Sequence, residues 1–353
     1  MTTINPIKET ASETLNRLLY TTDCTVLIMF SGGKDSFSTF YELHFNKGIA
    51  LDRFVFMHHN IDGASDEASV WDYPVTEDYC RKVAQAFGVP ILFNWRNGGI
   101  QREVYRTNEG LQNISFQRYE GGRFEEIVSK PGSSTRRKFP AASKSLSSRW
   151  CSAVAKIDVS HGVIRRIWAE DEELIVVTGE RAEEDRSKEG TGRASYAEVE
   201  FSKTHSEKKR RTVVHYRPIL QKSEVEIWAE YRSLKLQAHP AYELGRGRTS
   251  CRTCIFCGRN AWATMLENNP AVIDTFEKTE KDLAFTLKKS GKKPVGIREF
   301  AQTGTSARGT IVDPETFDKW NAVSESETFD EPIFVENWKQ PAGAFNAESC
   351  GSL

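Results

Sequence analysis

The stretch Thr25-Val26-Leu27-Ile28-Met29-Phe30-Ser31-Gly32-Gly33-Lys34-Asp35-Ser36 decides the fold. Its first half is a short, continuous apolar run, the pattern of a strand buried on both faces. A Gly-containing turn follows, and then a helical pattern to about Lys47. Arg53–His58, Pro90–Asn94 and Leu174–Thr178 repeat the buried-strand pattern. Helical stretches come between them: Tyr73–Gly88, closed by Gly88 and Pro90, and a segment continuing through Ile164–Glu170. Strands alternating with helices predict an α/β fold with a parallel sheet covered on both faces.

Residues 6–20 read as an amphipathic lead-in helix. Between Trp95 and Leu146 the pattern weakens into a Ser-, Gly-, Pro- and Arg/Lys-rich stretch, read as a loop or lid. Residues 184–211 are polar and charged. After Pro218 the chain reads as helical, with Ser223 capping Glu224–Leu234, a cysteine-rich turn, and helices to about Lys288. Beyond about Gly304 it is turn-rich. The expected division is an α/β nucleotide-binding domain over 1–222, a helical, Cys-rich region over 223–300, and an irregular tail over 301–353.

The 353 residues are 39% hydrophobic and 27% charged, enough apolar material for a core and unlike a disordered chain. Lys plus Arg is 48 and Asp plus Glu is 49, so the bulk charge does not predict a nucleic-acid partner. The apolar run Val26–Phe30 is far too short to span a bilayer. No basic region followed by an apolar one opens the chain, so the expected location is cytoplasmic, with no membrane partner. Seven cysteines, three of them within seven residues, do not make a secreted disulfide framework. They point to a reducing compartment and a metal or cluster site. Cys24 and Cys80 lie in apolar contexts and read as packing residues.

The chemistry of Ser31–Ser36 follows from its residue types. Two glycines let backbone N–H groups wrap a phosphate. The following helix start adds unpaired donors and the positive end of a dipole. Lys34 supplies a point charge, the Ser31 and Ser36 hydroxyls are further donors, and Asp35 can cap the helix or help hold Mg2+. The stretch is neither GxxxxGK[ST] nor GxGxxG. Asp62 and Arg181 each fall at a strand's carboxyl end, where open α/β sheets bind ligands. Asp62-Gly63 also reads as plain turn punctuation. Arg149 and Lys156 are further cationic candidates. Cys251, Cys254 and Cys257 form C-x-x-C-x-x-C. With Cys151 as fourth ligand, they can make a tetrahedral thiolate site for iron–sulfur or zinc. Arg246, Arg248, Arg252 and Arg259 would offset its charge. The basic runs 136–138 and 208–211 could touch a nucleic-acid backbone, although charge runs are usually solvated surface.

Ser31-Gly32-Gly33-Lys34-Asp35-Ser36 resembles the signature of the PP-loop, or N-type, ATP pyrophosphatases. Arg149-Trp150-Cys151 with Lys156 resembles the R-x-C-x-x-x-x-K pattern of the phosphoadenosine phosphosulfate (PAPS) reductase branch. Thr178–Arg186, containing Gly179 and Arg181, is similar to that branch's G-x-R-x-x-E-S-x-x-R strand end. Arg217-Pro218-Ile219-Leu220 with Val225 and Trp228 is similar to a degraded R-P-I-x-x-W element. The resemblance covers roughly residues 24–260. It implies an adenine-nucleotide alpha-hydrolase-like fold and a loop that binds the pyrophosphate of ATP. It also implies cleavage of ATP to AMP and pyrophosphate to adenylate an acceptor, as in the enzymes that put sulfur into DNA or tRNA, with a nucleic acid as acceptor and a sulfur-donor protein as partner. Lys34, Asp35 and Arg181 would be the catalytic groups. One part of the branch carries a [4Fe–4S] cluster on cysteines about a hundred residues apart, which matches the interval from Cys151 to Cys251. Two alternatives remain: a sulfonucleotide reductase with Cys350 in its tail as nucleophile, and a non-catalytic nucleotide-binding regulator.

Overall fold

The computed structural model describes residues 9–64, 69–118, 122–143, 145–184, 192–205, 210–249 and 251–346. Eight strands form one sheet: β1 (Thr25–Met29), β2 (Phe54–His59), β3 (Ile91–Arg96), β4 (Ile114–Gln117), β5 (Phe124–Ile127), β6 (Glu173–Val177), β7 (Val199–Phe201) and β8 (Thr212–Tyr216). Their order is β5-β4-β3-β2-β1-β6-β8-β7. The five central strands are parallel, with Val26 of β1 opposite Phe54 of β2 and Ile175 of β6. β4, β5 and β7 run antiparallel at the two edges. The chain moves outward from β1 through β2 to β3, then returns to the other side of β1 for β6 and β8. The reversal point therefore lies between β1 and β6, where open α/β sheets place their ligands.

Val26, Leu27 and Ile28 are all fully buried, as expected for a central parallel strand. Val26 and Ile28 face a core shared with Leu18, Phe37, Phe40 and Tyr231, while Leu27 faces Val163, Ile164 and Val213. Alternation along the strand sends successive side chains to opposite layers. Phe40 packs against Phe54, Phe56 and Phe87 with ring centroids 5.2–5.4 Å apart. Each fully buried ring of this kind stabilises the fold by roughly 1.5–3 kcal/mol. A third cluster gathers Trp71, Trp150 and Ile100 with Trp262, Phe276 and Phe300 of the helices Arg259–Asn268, Pro270–Leu283 and Ile297–Gln302.

Several elements differ from the sequence expectation. The weakly patterned stretch after Trp95 holds the helix Gly99–Tyr105 and the hairpin β4–β5, whose outer strand Phe-Glu-Glu-Ile buries no side chain fully. β8 adds a fifth parallel strand beside β6. Residues 301–346 are not an irregular tail: Asp313 caps the helix Pro314–Ser324, and its Phe317 and Trp320 enter the same core as β1, together with Phe329. No helix among the described residues is long and apolar enough to cross a membrane.

Candidate functional site

The turn after β1 and the strand end after β6 meet across the reversal point, and glycines permit the approach. Gly32 has φ +75°, and a side chain there would press on the Cys80 sulfur at 3.0 Å. A Cβ on Gly33 would lie 2.6 Å from Thr249 Oγ1, and one on Gly179 would lie 2.8 Å from the Asp35 carbonyl group. Ser36 Oγ donates to Gly33 O at 2.8 Å and accepts from Ser31 N at 3.3 Å, closing the loop on itself. The helix Lys34–Tyr41 then begins at Gly33 without a side-chain cap.

Lys34 does not project into the space in front of this loop. It is 2% exposed. Its ammonium sits 3.3 Å from both Asp35 Oδ2 and Gly247 O, and 3.6 Å from Glu224 Oε1. Its backbone N–H donates to the Tyr242 hydroxyl at 3.0 Å. Burial alone would lower the ammonium's pKa, but Asp35, Tyr242 and Glu224 together hold it above its ordinary value. Arg181, expected to grip phosphate, instead donates to Asp35 Oδ1 at 2.6 Å and to Glu183 at 2.6 Å. Asp35 is thus clamped between two buried cations. Burial raises its carboxyl, yet Lys34 and Arg181 outweigh that and keep it below the usual carboxylate range.

Asp35, Ser31, Gly33, Ser36 and Gly179 line a cavity of about 650 Å³. The same cavity is lined by Arg149, Lys156 and Arg248, and none of these three stands within ion-pair distance of a carboxylate among the described residues. The Arg149 Nε is buried without a hydrogen-bond partner while its guanidinium lies 5.9 Å from the Phe256 ring. Burial pulls Lys156 down, but the nearby Cys251, Asp72, Cys254 and Cys151 together hold it above its ordinary pKa. Of the four arginines around the cysteine motif, only Arg248 lines the cavity. Arg246 donates to Ala261 O at 3.0 Å, Arg252 to Glu325 at 2.7 Å, and Arg259 to Thr303 Oγ1 at 3.0 Å. Tyr242 and Thr249 also line it. Nothing in the sequence pattern singles them out, since they reach the loop from more than 200 positions away.

Asp62 does not face the cavity. Its carboxylate accepts the backbone N–H groups of Val70, Trp71 and Asp72 at 2.9–3.1 Å, so it ties down the segment that follows it. Burial pushes its carboxyl up. Burial and the adjoining Asp62 push Asp72 further, up to about 7 from 3.8. The folded chain then holds this proton more tightly than the unfolded chain between those values. The contribution of Asp72 to stability therefore falls as pH rises from about 4 to about 7. Asp72→Asn keeps an acceptor for Tyr73 N and Thr76 Oγ1. It is expected to flatten that slope, read as denaturation midpoints at pH 5 and pH 8. A slope unchanged from the parent's would refute the assignment.

The four cysteines expected on one metal are found in two settings. Cys151, Cys251 and Cys254 line the cavity. Cys257 is 2% exposed and does not line it, with its sulfur 3.7 Å from Arg246 and 4.0 Å from Arg252 O. Among the described residues no group of three or more His, Cys, Asp or Glu side chains is placed to hold a metal ion. No four-thiolate centre, iron–sulfur or zinc, is formed among the described residues. The Cys251 thiol hydrogen bonds to Cys254 and outweighs burial in holding it down to about 6, while Cys251 itself is pushed well up. The basic run at 136–138 is largely committed. Arg136 pairs with Glu103 at 2.5 Å and stacks 4.4 Å from the Trp150 ring, and Arg137 donates to Asp282 O at 2.6 Å. Cys350, Lys208 and Lys209 lie outside the described residues.

No family model matches the chain, and no curated protein matches it. Among solved structures it is similar to Candida glabrata FMN adenylyltransferase in complex with FAD and inorganic pyrophosphate. The identity is 9%, over 99% of this chain and 93% of that one, with a TM-score of 0.37. The same enzyme in complex with ATP matches at 9% identity over 97% and 83%, again with a TM-score of 0.37. Likeness at this level carries no argument about activity, so the functional reading rests on the cavity at the sheet's reversal point.

Proposed function

We propose that the chain is an ATP pyrophosphatase of the PP-loop kind, with an adenine-nucleotide alpha-hydrolase-like sheet, that cleaves ATP between the α- and β-phosphates and transfers the adenylyl group to an acceptor. One observation carries this reading. The Ser31–Ser36 turn and the Gly179 strand end share a cavity at the reversal point with three cations, none within ion-pair distance of a carboxylate among the described residues. A polyanion satisfies the loop and these cations at once. The loop's backbone and hydroxyls take phosphate oxygens at the helix start, and Arg149, Lys156 and Arg248 take the rest. Lys34 and Arg181 hold Asp35, and through it the loop, in position. Their charge also favours an anion in front of them. A magnesium ion brought by the triphosphate suits the cavity side of Asp35, where it would neutralise phosphate charge. Developing charge on the departing pyrophosphate would then meet donors already fixed in place, the usual source of most of the rate enhancement in such chemistry.

The acceptor and sulfur source follow the family resemblance: a nucleic-acid oxygen activated as its adenylate, then displaced by sulfur from a donor protein. A sulfonucleotide reductase is the second reading, favoured by the thiols on the cavity wall. Pyrophosphate release from ATP, against sulfite release from PAPS, separates the two. Lys156→Ala is expected to lower ATP affinity at least tenfold, since a charge-assisted contact contributes about 1.5–3 kcal/mol. Sulfite without pyrophosphate would put the reductase first. Normal ATP affinity in the variant would remove Lys156 from the binding wall.

A further inference from the structure

Cys251 and Cys254 are separated by Arg252 and Thr253, and these two intervening residues are turned away from the cavity. Arg252 Nη1 donates to both carboxylate oxygens of Glu325, at 2.7 and 2.9 Å, and Nη2 donates to Ser69 O. Thr253 Oγ1 donates to Val70 O at 2.9 Å. Both side chains are buried. Pinning the middle of the turn on one side presents both thiols on the other, where they line the cavity. Cys254 N donates to Cys251 O at 3.3 Å, so the turn is closed as well as anchored. The floor is fixed too. The buried Lys288 ammonium donates to Ile255 O at 2.7 Å and to Cys257 O at 2.8 Å, holding the residues that follow Cys254. Both cysteines are unbridged thiols. Lys156 and Arg248, neither within ion-pair distance of a carboxylate among the described residues, line the same space. Cations beside a thiol favour its thiolate, the form that attacks sulfur.

We infer that Cys254, with Cys251 as its resolving partner, is a thiol–disulfide exchange centre that takes a low-molecular-weight disulfide entering the cavity. Cys254 sulfur attacks one sulfur of the incoming disulfide. The S–S bond breaks and the first small thiol leaves, taking the proton released by Cys254. Cys251 then loses its proton to the second departing thiol, and its sulfur attacks Cys254. One disulfide joins the two cysteines, two small thiols are released, and the protein's pair has given up two electrons. This inference does not depend on ATP chemistry, and its test uses no nucleotide.

The full chain, purified under reductant without oxygen, is treated with oxidised glutathione and mapped by mass spectrometry. The expected result is a Cys251–Cys254 bridge with no glutathione retained. Cys251→Ser should instead keep one glutathione on Cys254, because the resolving sulfur is gone. Cys254→Ser should form no bridge, and should take glutathione at Cys251 more slowly than the parent forms its bridge. Cys151→Ser should still form the bridge. Circular dichroism of each variant reports folding, and the map of the unaltered chain decides the matter even where a variant fails to fold. Iron or zinc held by these thiols in the purified protein would overturn the proposal. So would a stable glutathione adduct on the parent chain, or a bridge that omits either residue.

Discussion

Asp35→Ala is expected to lower the unfolding free energy by about 3–5 kcal/mol, the usual cost of removing one partner from a buried ion pair and leaving the other charge behind. Two cations are left behind here: the Lys34 side chain is 2% exposed and that of Arg181 is 3% exposed. Each keeps one more distant or more exposed carboxylate, Glu224 at 3.6 Å for Lys34 and Glu183 for Arg181, which offsets only part of the loss. Denaturant midpoints measure the effect. A loss under about 1 kcal/mol would mean that water already relieves the pair. The same carboxylate gives a pH signature. Its folded pKa lies below 3.8, so its contribution is present above that value and is lost as pH falls through the lower, folded one. A double variant, Lys34→Met with Asp35→Leu, should recover part of the stability, because two apolar groups replace a broken pair. It should not recover ATP turnover.

Gly179→Ala is expected to give the largest loss of activity for the smallest change of side chain. The added Cβ would stand 2.8 Å from the carbonyl carbon and oxygen of Asp35 and 3.0 Å from Ser36 N. These are backbone atoms of the Ser31–Ser36 loop and cannot rotate aside. The loop must move by several tenths of an ångström, and positioning errors of that order are costly where catalysis rests on fixed donors. Pyrophosphate release should fall at least tenfold, about 1.4 kcal/mol of barrier, while the fold survives. Gly132→Ala is the control, since a Cβ there meets only Gly110 Cα at 3.4 Å. Equal activity in the two variants would show that the β6 end and the loop do not act together.

The central sheet is legible in the sequence because its strands are buried on both faces and so write themselves as apolar runs. Val26–Met29 and Leu174–Val177 could hardly read otherwise. β8 is harder to see: Thr-Val-Val-His-Tyr interrupts its apolar residues with His215, which lies beside Glu200 and Arg217 at the sheet's margin. The hairpin β4–β5 is half-exposed, and Phe-Glu-Glu-Ile carries no strong alternation. In the site, the loop itself is legible and the destination of its charges is not. Lys34, Arg181 and Asp62 have the residue types of ligand-binding groups. Their partners come from remote segments: Gly247 and Glu224 for Lys34, Asp35 for Arg181, and the 70–72 backbone for Asp62. Spacing along the chain cannot report contacts that tertiary packing creates. The cysteine motif shows the same limit. C-x-x-C fixes a local turn, whereas the third cysteine goes with Arg246 into the core.

The helix Pro314–Ser324 and Phe329, which pack into the same cluster as Val26 and Ile28, have a consequence for how the chain is made. A ribosome delivers the first strand early, but the aromatic side chains that seal its layer emerge about 300 residues later, roughly 15–60 s at ordinary elongation rates. Until then Tyr79 lacks the Phe329 ring that packs on it and the cluster lacks Phe317, so the sheet waits with one face incompletely covered. A nascent chain of this sequence therefore needs either a holding chaperone or a tolerant interim packing. Slowing translation near its end should cost yield, whereas slowing it between β1 and β2 should not.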